Sequence, residues 1–298
     1  MKLSIAVVTM NRAEQLKEAL QSCLKCVLPK ETEFVIIDNA STDNTEEIVK
    51  EVISNSGYPF YYEKFSENIG CGRGRNYAYS KTNGQYYYSL DDDAVIDENN
   101  PDFFIKALEI LDTHKEIVTL TTQIYDTAWQ ANRVNNSSIK LDEDLYECLM
   151  FYGTSHFLRK SLIKDDPYFA NSYGYEEIPL SLYAVDNGYK NVSYSAVKII
   201  HMPKIDKWDK SDEKNHQLII NECVLQYVLK KNIFPHIFLP VVYAAYIMRC
   251  RKHLKNVPNW KARTKDIFET TEQKAKLLPR IRIKTVVSLY KKFGIAVF

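Results

Sequence analysis

An α/β fold, with a mostly parallel sheet flanked by helices and a basic helical extension at its C-terminal end, is what this 298-residue chain predicts. Three observations predict it. Short apolar strand signals alternate with helical stripes over the first hundred residues, and the pattern loosens into α+β up to about residue 210. From Lys230 onward the chain carries 16 Lys plus Arg against 3 Asp plus Glu, which leaves 23 against 35 before it. Short strands alternating with helices imply crossover connections, hence parallel pairing with both sheet faces covered. A content of 45% hydrophobic and 26% charged residues is that of globular material and excludes a disordered chain.

The elements follow in order. Leu3 to Val8 is a first strand, too short for the apolar region of a signal peptide and ended by Asn11-Arg12. Leu16, Leu20, Cys23, Leu24 and Val27 recur at helical spacing, so the Cys23/Cys26 pair reads as packing on a helix and not as a zinc site. Phe34 to Ile37 is a second strand ending at Asp38, and the turn residues 39–45 open a helix through Ile48, Val49, Val52 and Ile53. Pro59 to Phe65 is a third strand. A glycine-rich loop from Asn68 to Gly74 enters a helix over Arg75 to Lys81, and Gln85 to Leu90 is the next strand. Then come a helix from Pro101, a strand at Ile117 to Thr122, and a polar loop over Asn132 to Lys140. A strand-like stretch from Leu149 to Ser155, a helix from Glu176 to Asn187 and a strand from Val192 to Ile200, running into His201, complete the middle of the chain. Beyond Ser211 the sequence is helical, first over Asp212 to Lys231 and then through the basic segment.

Chemistry concentrates where the strands stop. Asp91, Asp92 and Asp93 follow the strand ending at Leu90, and in an extended backbone Asp91 and Asp93 would point to one side. Three adjacent carboxylates fit either a solvated turn or a cation site, and hard oxygen ligands suit Mg²⁺ or Mn²⁺ bridging a diphosphate. Their place at the carboxyl end of a strand in an α/β run, with Asp38 in the same kind of position, favours the cation site. The run Gly70-Cys71-Gly72-Arg73-Gly74 lacks the spacing of a dinucleotide fingerprint and comes too late in the chain for one.

Residues 3 to 97 resemble family 2 glycosyltransferases of the GT-A fold. The matching pieces are residues 7–12 (VVTMNR), 35–43 (VIIDNASTD), Asn68-Ile69-Gly70 with Arg75-Asn76, and residues 89–93 (SLDDD). The resemblance implies a Rossmann-like nucleotide-sugar-binding half over 1–100 and an acceptor-binding half over 101–210, while the basic, helical character of 211–298 marks a membrane-proximal region. It implies that Thr9 and Asp38 face the base and ribose of a UDP- or dTDP-sugar. Asn11, Arg12, Asn68, Gly70, Arg75 and Asp92 would line the donor site. Asp91 would approach the ribose or the metal's water shell, and Asp93 would bind Mn²⁺ or Mg²⁺. Residues 174–182 (GYEEIPLSL) resemble the family motif that supplies the catalytic base, with Glu176 and Glu177 as candidates. His201 matches a histidine that completes the metal site. The implied activity is inverting transfer of a sugar to a hydroxyl of a lipid-linked or polysaccharide acceptor. The alternative is a non-catalytic nucleotide-sugar-binding or membrane-bound protein on a degenerate domain of the same type.

The charge asymmetry, about +13 for the tail and −12 for the body, points to an anionic partner. Tail cations are interleaved with Val241, Tyr243, Ile247, Leu254 and Ile281, which suits a lipid interface and argues against nucleic acid. The longest apolar run, Ile233 to Met248, is broken by Pro235, His236 and Pro240 and is short for a span of about 20 residues. The expectation is therefore a cytoplasmic protein, peripheral on the inner face of the cell membrane, with reduced cysteines and a sequence compatible with an oligomer.

Overall fold

The computed structural model describes residues 1–133, 138–164, 166–170, 174–203 and 211–297, and the chain divides into two compact units, Met1–Pro203 and Lys204–Phe298. In the first unit, β1 (Leu3–Thr9), β2 (Thr32–Asp38), β3 (Phe60–Lys64) and β4 (Tyr86–Leu90) pair in parallel in the order β3-β2-β1-β4. β10 (Ser155–Arg159) joins β4 antiparallel and leads to β6 (Ile117–Asp126) and β11 (Lys190–His201), which are parallel to each other. β9 (Leu145–Cys148) and β8 (Ser138–Lys140) finish the path, while β5 (Ala94–Ile96) pairs with β11 and β7 (Ala131–Asn132) with β6.

Alternation along the strands explains why helices cover both faces. Leu3, Ile5 and Val7 of β1 and Phe34 and Ile36 of β2 turn to one side. They meet α1 (Ala13–Lys25), α2 (Thr45–Ser54) and α4 (Phe103–Thr113) through Leu16, Leu20, Val49, Ile53, Phe103 and Phe104. Ala6, Val35 and Ile37 turn to the other side, against Ala78 of α3 (Cys71–Ser80) and Leu180 of α5 (Ile178–Asp186). With both faces buried, the strands read as continuous apolar runs. Cys23 is fully buried in this core, and all six cysteines are free.

Three local expectations change. Leu149 to Ser155 is a strand only at its last residue; residues 149–154 are the loop between β9 and β10, and Leu149, Phe151, Gly153 and Thr154 are buried there because the loop is packed under the site. The polar stretch 132–140 carries strand residues at both ends, and its middle, 134–137, lies outside the described residues. The helix expected from Glu176 begins at Ile178, with Pro179 in its first turn, where a missing N–H costs nothing.

The second unit is helical: α6 (Asp212–Ile233), α7 (Leu239–Leu254), α8 (Trp260–Ala275) and α9 (Ile283–Phe293). Ser211 Oγ caps α6 by accepting the Lys214 N–H at 3.2 Å. Tyr227 of α6 packs against Tyr246 of α7 and Phe268 of α8, with ring centroids 4.4 and 5.4 Å away. Among the described residues no helix is long and apolar enough to cross a membrane.

Candidate active site

Thr9 and Asp38 are register partners at the ends of β1 and β2, and the carboxyl end of β4 opens beside them. This is the edge where open α/β sheets bind ligands. The three aspartates lie just past β4, in a turn closed by the Ala94 N–H donating to Asp91 O at 3.1 Å. Convergence of Asp91 and Asp93 therefore comes from the turn and not from strand alternation. Asp92 is buried and held by Thr9 Oγ1 at 2.7 Å and Arg12 Nη1 at 2.9 Å, while Arg12 also reaches Asp93 Oδ2 at 2.7 Å. Burial, opposed by Arg12 and reinforced by Asp93, pushes the Asp92 carboxyl up to about 6.

The second wall of the site is built by loops tied to one another. Asn11, at φ 54°, donates its N–H to Ser41 Oγ at 2.9 Å and accepts the Thr42 N–H at 2.7 Å. Asp38 is fully buried, and its two oxygens accept from Ser41 N–H and Tyr62 Oη, both at 2.7 Å. Asn68 Oδ1 accepts from Asn39 and from the Gly70 N–H. Gly70 sits at φ 87° at the start of α3, a backbone conformation that needs glycine.

Arg75 of α3 spans the site. Its Nη2 donates to Asp91 Oδ1 at 2.5 Å and its Nη1 to Glu176 Oε1 at 2.6 Å, while Glu177 Oε1 stays 3.7 Å from Nη1. Arg75 and Glu176 are both buried, and a pair so placed is held together by the cost of leaving either charge alone. Burial and then the neighbouring Glu176 charge raise the Glu177 pKa, against the pull of Arg75.

His201 ends β11 opposite Ala94 of β5 and Asp126 of β6. Its Nδ1 is 2.9 Å from Asp126 Oδ2 and its Nε2 is 3.4 Å from Asp93 Oδ1, so Asp126 aims the ring at the triad. Burial alone would lower the His201 pKa, but the bonds to Asp93 and Asp126 outweigh it and raise it. One ligand atom from each of Asp91, Asp93 and His201 lies within 4.8 Å of the others. Two carboxylates and an imidazole are a donor set that Mn²⁺ accepts, and the carboxylates of Asp91, Asp92, Asp93, Asp126, Glu176 and Glu177 outnumber the guanidiniums of Arg12, Arg75 and Arg133, leaving negative charge for a cation to balance. The site residues thus fit a divalent ion.

Four residues escaped the sequence reading. Asp126 and Arg133, 2.8 Å apart, lie past the point where the strand from Ile117 had been expected to end. Thr154 O accepts the Asp91 N–H, and Thr154 Oγ1 accepts from Arg133 at 3.1 Å. Gly153 has no side chain because a Cβ there would overlap Glu177 Oε1 and come within 2.9 Å of Arg75 Nη1. Gly153→Ala should therefore push the Glu177 carboxylate aside, which a flexible side-chain end allows without unfolding. With Glu177 as the catalytic base that the resemblance implies, transfer should fall by about 10²-fold with nucleotide affinity and melting temperature near those of the wild type. Wild-type turnover in this variant would show that Glu177 is not held where the reaction needs it.

In sequence, the abequosyltransferase RfbV of Salmonella typhimurium is 26% identical over 212 residues, covering 61% of each chain. The poly-beta-1,6-N-acetyl-D-glucosamine synthase of Staphylococcus epidermidis is 31% identical over 104 residues, 35% of this chain and 24% of that protein. The chain thus spans less than two thirds of the length of these relatives. In structure, S. aureus TarS 1-349 in complex with UDP-GlcNAc superimposes with a TM-score of 0.66 at 19% identity, over 96% of this chain and 83% of that one. The mannosyltransferase PcManGT from Pyrobaculum calidifontis, in complex with GDP-Man and Mn²⁺, does so with a TM-score of 0.59 at 14% identity, over 100% and 81%. These likenesses show the GT-A fold. The model of glycosyl transferase family 2 matches residues 4–166, more than half of the chain and all four motif segments, and the chain belongs to that family.

Proposed function

We propose that the chain is an inverting glycosyltransferase that moves a sugar from a UDP- or dTDP-sugar to a hydroxyl of a glycan or lipid-linked acceptor in cell-surface glycan synthesis. The observation that carries this reading is the facing of two acidic groups across Arg75, with Asp91, Asp93 and His201 on one side and Glu176 and Glu177 on the other. A divalent ion held by Asp91, Asp93 and His201 would stabilise the charge of a diphosphate leaving group. Glu177 accepts the proton of the acceptor hydroxyl as its oxygen attacks the anomeric carbon, and Arg75 holds Glu176 and Asp91 in place around that event. Residues 1–100 supply the donor side and residues 101–210 most of the acceptor side. The nucleotide-sugar and Mn²⁺ complexes of the structural neighbours support the donor and the ion, and the glycan-synthesis relatives support the pathway class. Thermal-shift screening of nucleoside diphosphate sugars with and without Mn²⁺ tests it. A metal-dependent rise in melting temperature for one donor is expected, and no rise for any donor would favour a membrane-bound protein on a degenerate domain that binds no donor.

The helical unit adds a membrane contact to this reading. On α9, Ile283, Val287 and Tyr290 are exposed at the spacing of one helix face, beside exposed Lys284, Lys291 and Lys292. Val241, Tyr243 and Met248 are exposed on α7. Basic residues near an anionic surface contribute about 1 kcal/mol each, added to apolar insertion. Flotation should recover the protein with phosphatidylserine-containing liposomes at low salt and lose most of it when Lys284, Lys291 and Lys292 are changed to Glu. Equal recovery of variant and wild type would remove α9 from the contact.

A further inference from the structure

The strands β6 and β7 form a hairpin through the pairs Tyr125↔Asn132 and Asp126↔Ala131, with residues 127–130 as its tip. Trp129 stands at that tip with 71% of its surface exposed, more than any other described aromatic side chain. A single exposed apolar residue is ordinary on a protein surface. This one differs because the chain holds its backbone in place. Asp126 Oδ1 accepts the N–H of Ala128 at 3.0 Å and of Trp129 at 3.4 Å, and the Thr127 N–H donates to His201 O at 3.0 Å. The Arg133 guanidinium lies 5.4 Å from the centre of the indole ring and also bonds Asp126 and Thr154.

These bonds connect the ring to both halves of the site. Asp126 leads to His201 and so to the metal-ligand group. Arg133 leads through Thr154 to Gly153, against which the Glu177 carboxylate lies. An acceptor must present its hydroxyl to Glu177, and the rest of that molecule needs a surface next to the base. An indole face carries negative charge density that attracts the C–H bonds of a pyranose, while an adjacent guanidinium donates hydrogen bonds to hydroxyls. We propose that the 127–133 hairpin is the acceptor subsite, in which the Trp129 ring stacks on a pyranose ring of the acceptor glycan and Arg133 bonds its hydroxyls. The inference rests on the reading of the site as a sugar-transfer site.

Saturation-transfer NMR on the full chain with UDP and Mg²⁺ tests it, with the methyl pyranosides of glucose, galactose, mannose and N-acetylglucosamine as probes. The wild type should transfer saturation to the ring C–H protons of at least one pyranoside. Trp129→Ala should reduce that signal by about fivefold or more, as loss of an aromatic contact implies, and Trp129→Phe should retain part of it. UDP affinity, measured by calorimetry on the same samples, should stay within about twofold in both variants, because the substitutions leave the backbone N–H bonds of the hairpin tip to Asp126 in place. An undiminished signal in Trp129→Ala, or no signal from any pyranoside with the wild type while UDP binds, overturns the subsite. Failure of both UDP and dTDP to bind the wild type overturns the sugar-transfer reading and the subsite with it.

Discussion

On the proposed assignment of Glu177 as general base, Glu177→Gln is expected to lower the rate of sugar transfer by about 10²-fold or more and to leave nucleotide affinity near its wild-type value, because a general base acts mainly in the transition state. Glu176→Gln has a different signature. Its carboxylate is already engaged by Arg75 at 2.6 Å, so the substitution weakens a buried ion pair and should lower the melting temperature along with the rate. Glu177 lies farther from the same guanidinium, at 3.7 Å, and is the carboxylate proposed to take the proton. Burial and then the Glu176 charge raise its pKa, so the acid limb of the rate profile should lie above the ordinary carboxylate range, near 4.3, with transfer falling as pH falls through it. The same shift acts on stability with the opposite sense. A carboxyl whose pKa is raised by folding stabilises its protonated form, so stability is lost as pH rises from the ordinary value to the raised one. Glu177→Gln removes that loss and should melt no lower than the wild type at pH 8. Near-normal transfer by Glu177→Gln, with transfer abolished in Glu176→Gln, would exchange the two roles; activity in both would take the base away from this motif.

Binding of a nucleoside diphosphate is expected to depend on a divalent metal, and Asp93→Asn is expected to weaken it by about 10 to 100-fold or more. Asp93 lies 2.7 Å from Arg12 and 3.4 Å from His201, and its pKa is lowered because these cations overcome the cost of burial. Without a cation, the carboxylates of Asp91 and Asp93 would face two phosphates at close range. Asp92→Asn makes the internal control. Its side chain bonds Thr9 and Arg12 and lies outside the metal-ligand group, so this variant should keep the dependence on metal. Titration calorimetry with UDP in Mn²⁺ and in chelator measures both. Equal affinity in the two buffers would refute the metal assignment.

The sequence by itself determined the α/β class and the succession of strands and helices that makes a mostly parallel sheet. Strands buried on both faces must be apolar at nearly every position, and helices covering them must repeat at 3.6 residues, so each element carries its own local signature. It also showed where acidic groups end a strand, and four motif segments sufficed to identify the family. What it left open depends on long-range pairing. His201 meets Asp126, 75 residues away, only because β6 and β11 are neighbours in register. Arg75 meets Glu176, 101 residues away, only because α3 and the turn before α5 come to the same edge of the sheet. Residues 149–154 look like a strand because they are apolar and buried, yet they are buried as a loop, and Gly153 matters for the atom it lacks beside Glu177. Periodicity reports how deeply a residue is buried and cannot report against what; that is decided by strand order and register, which belong to the whole sheet.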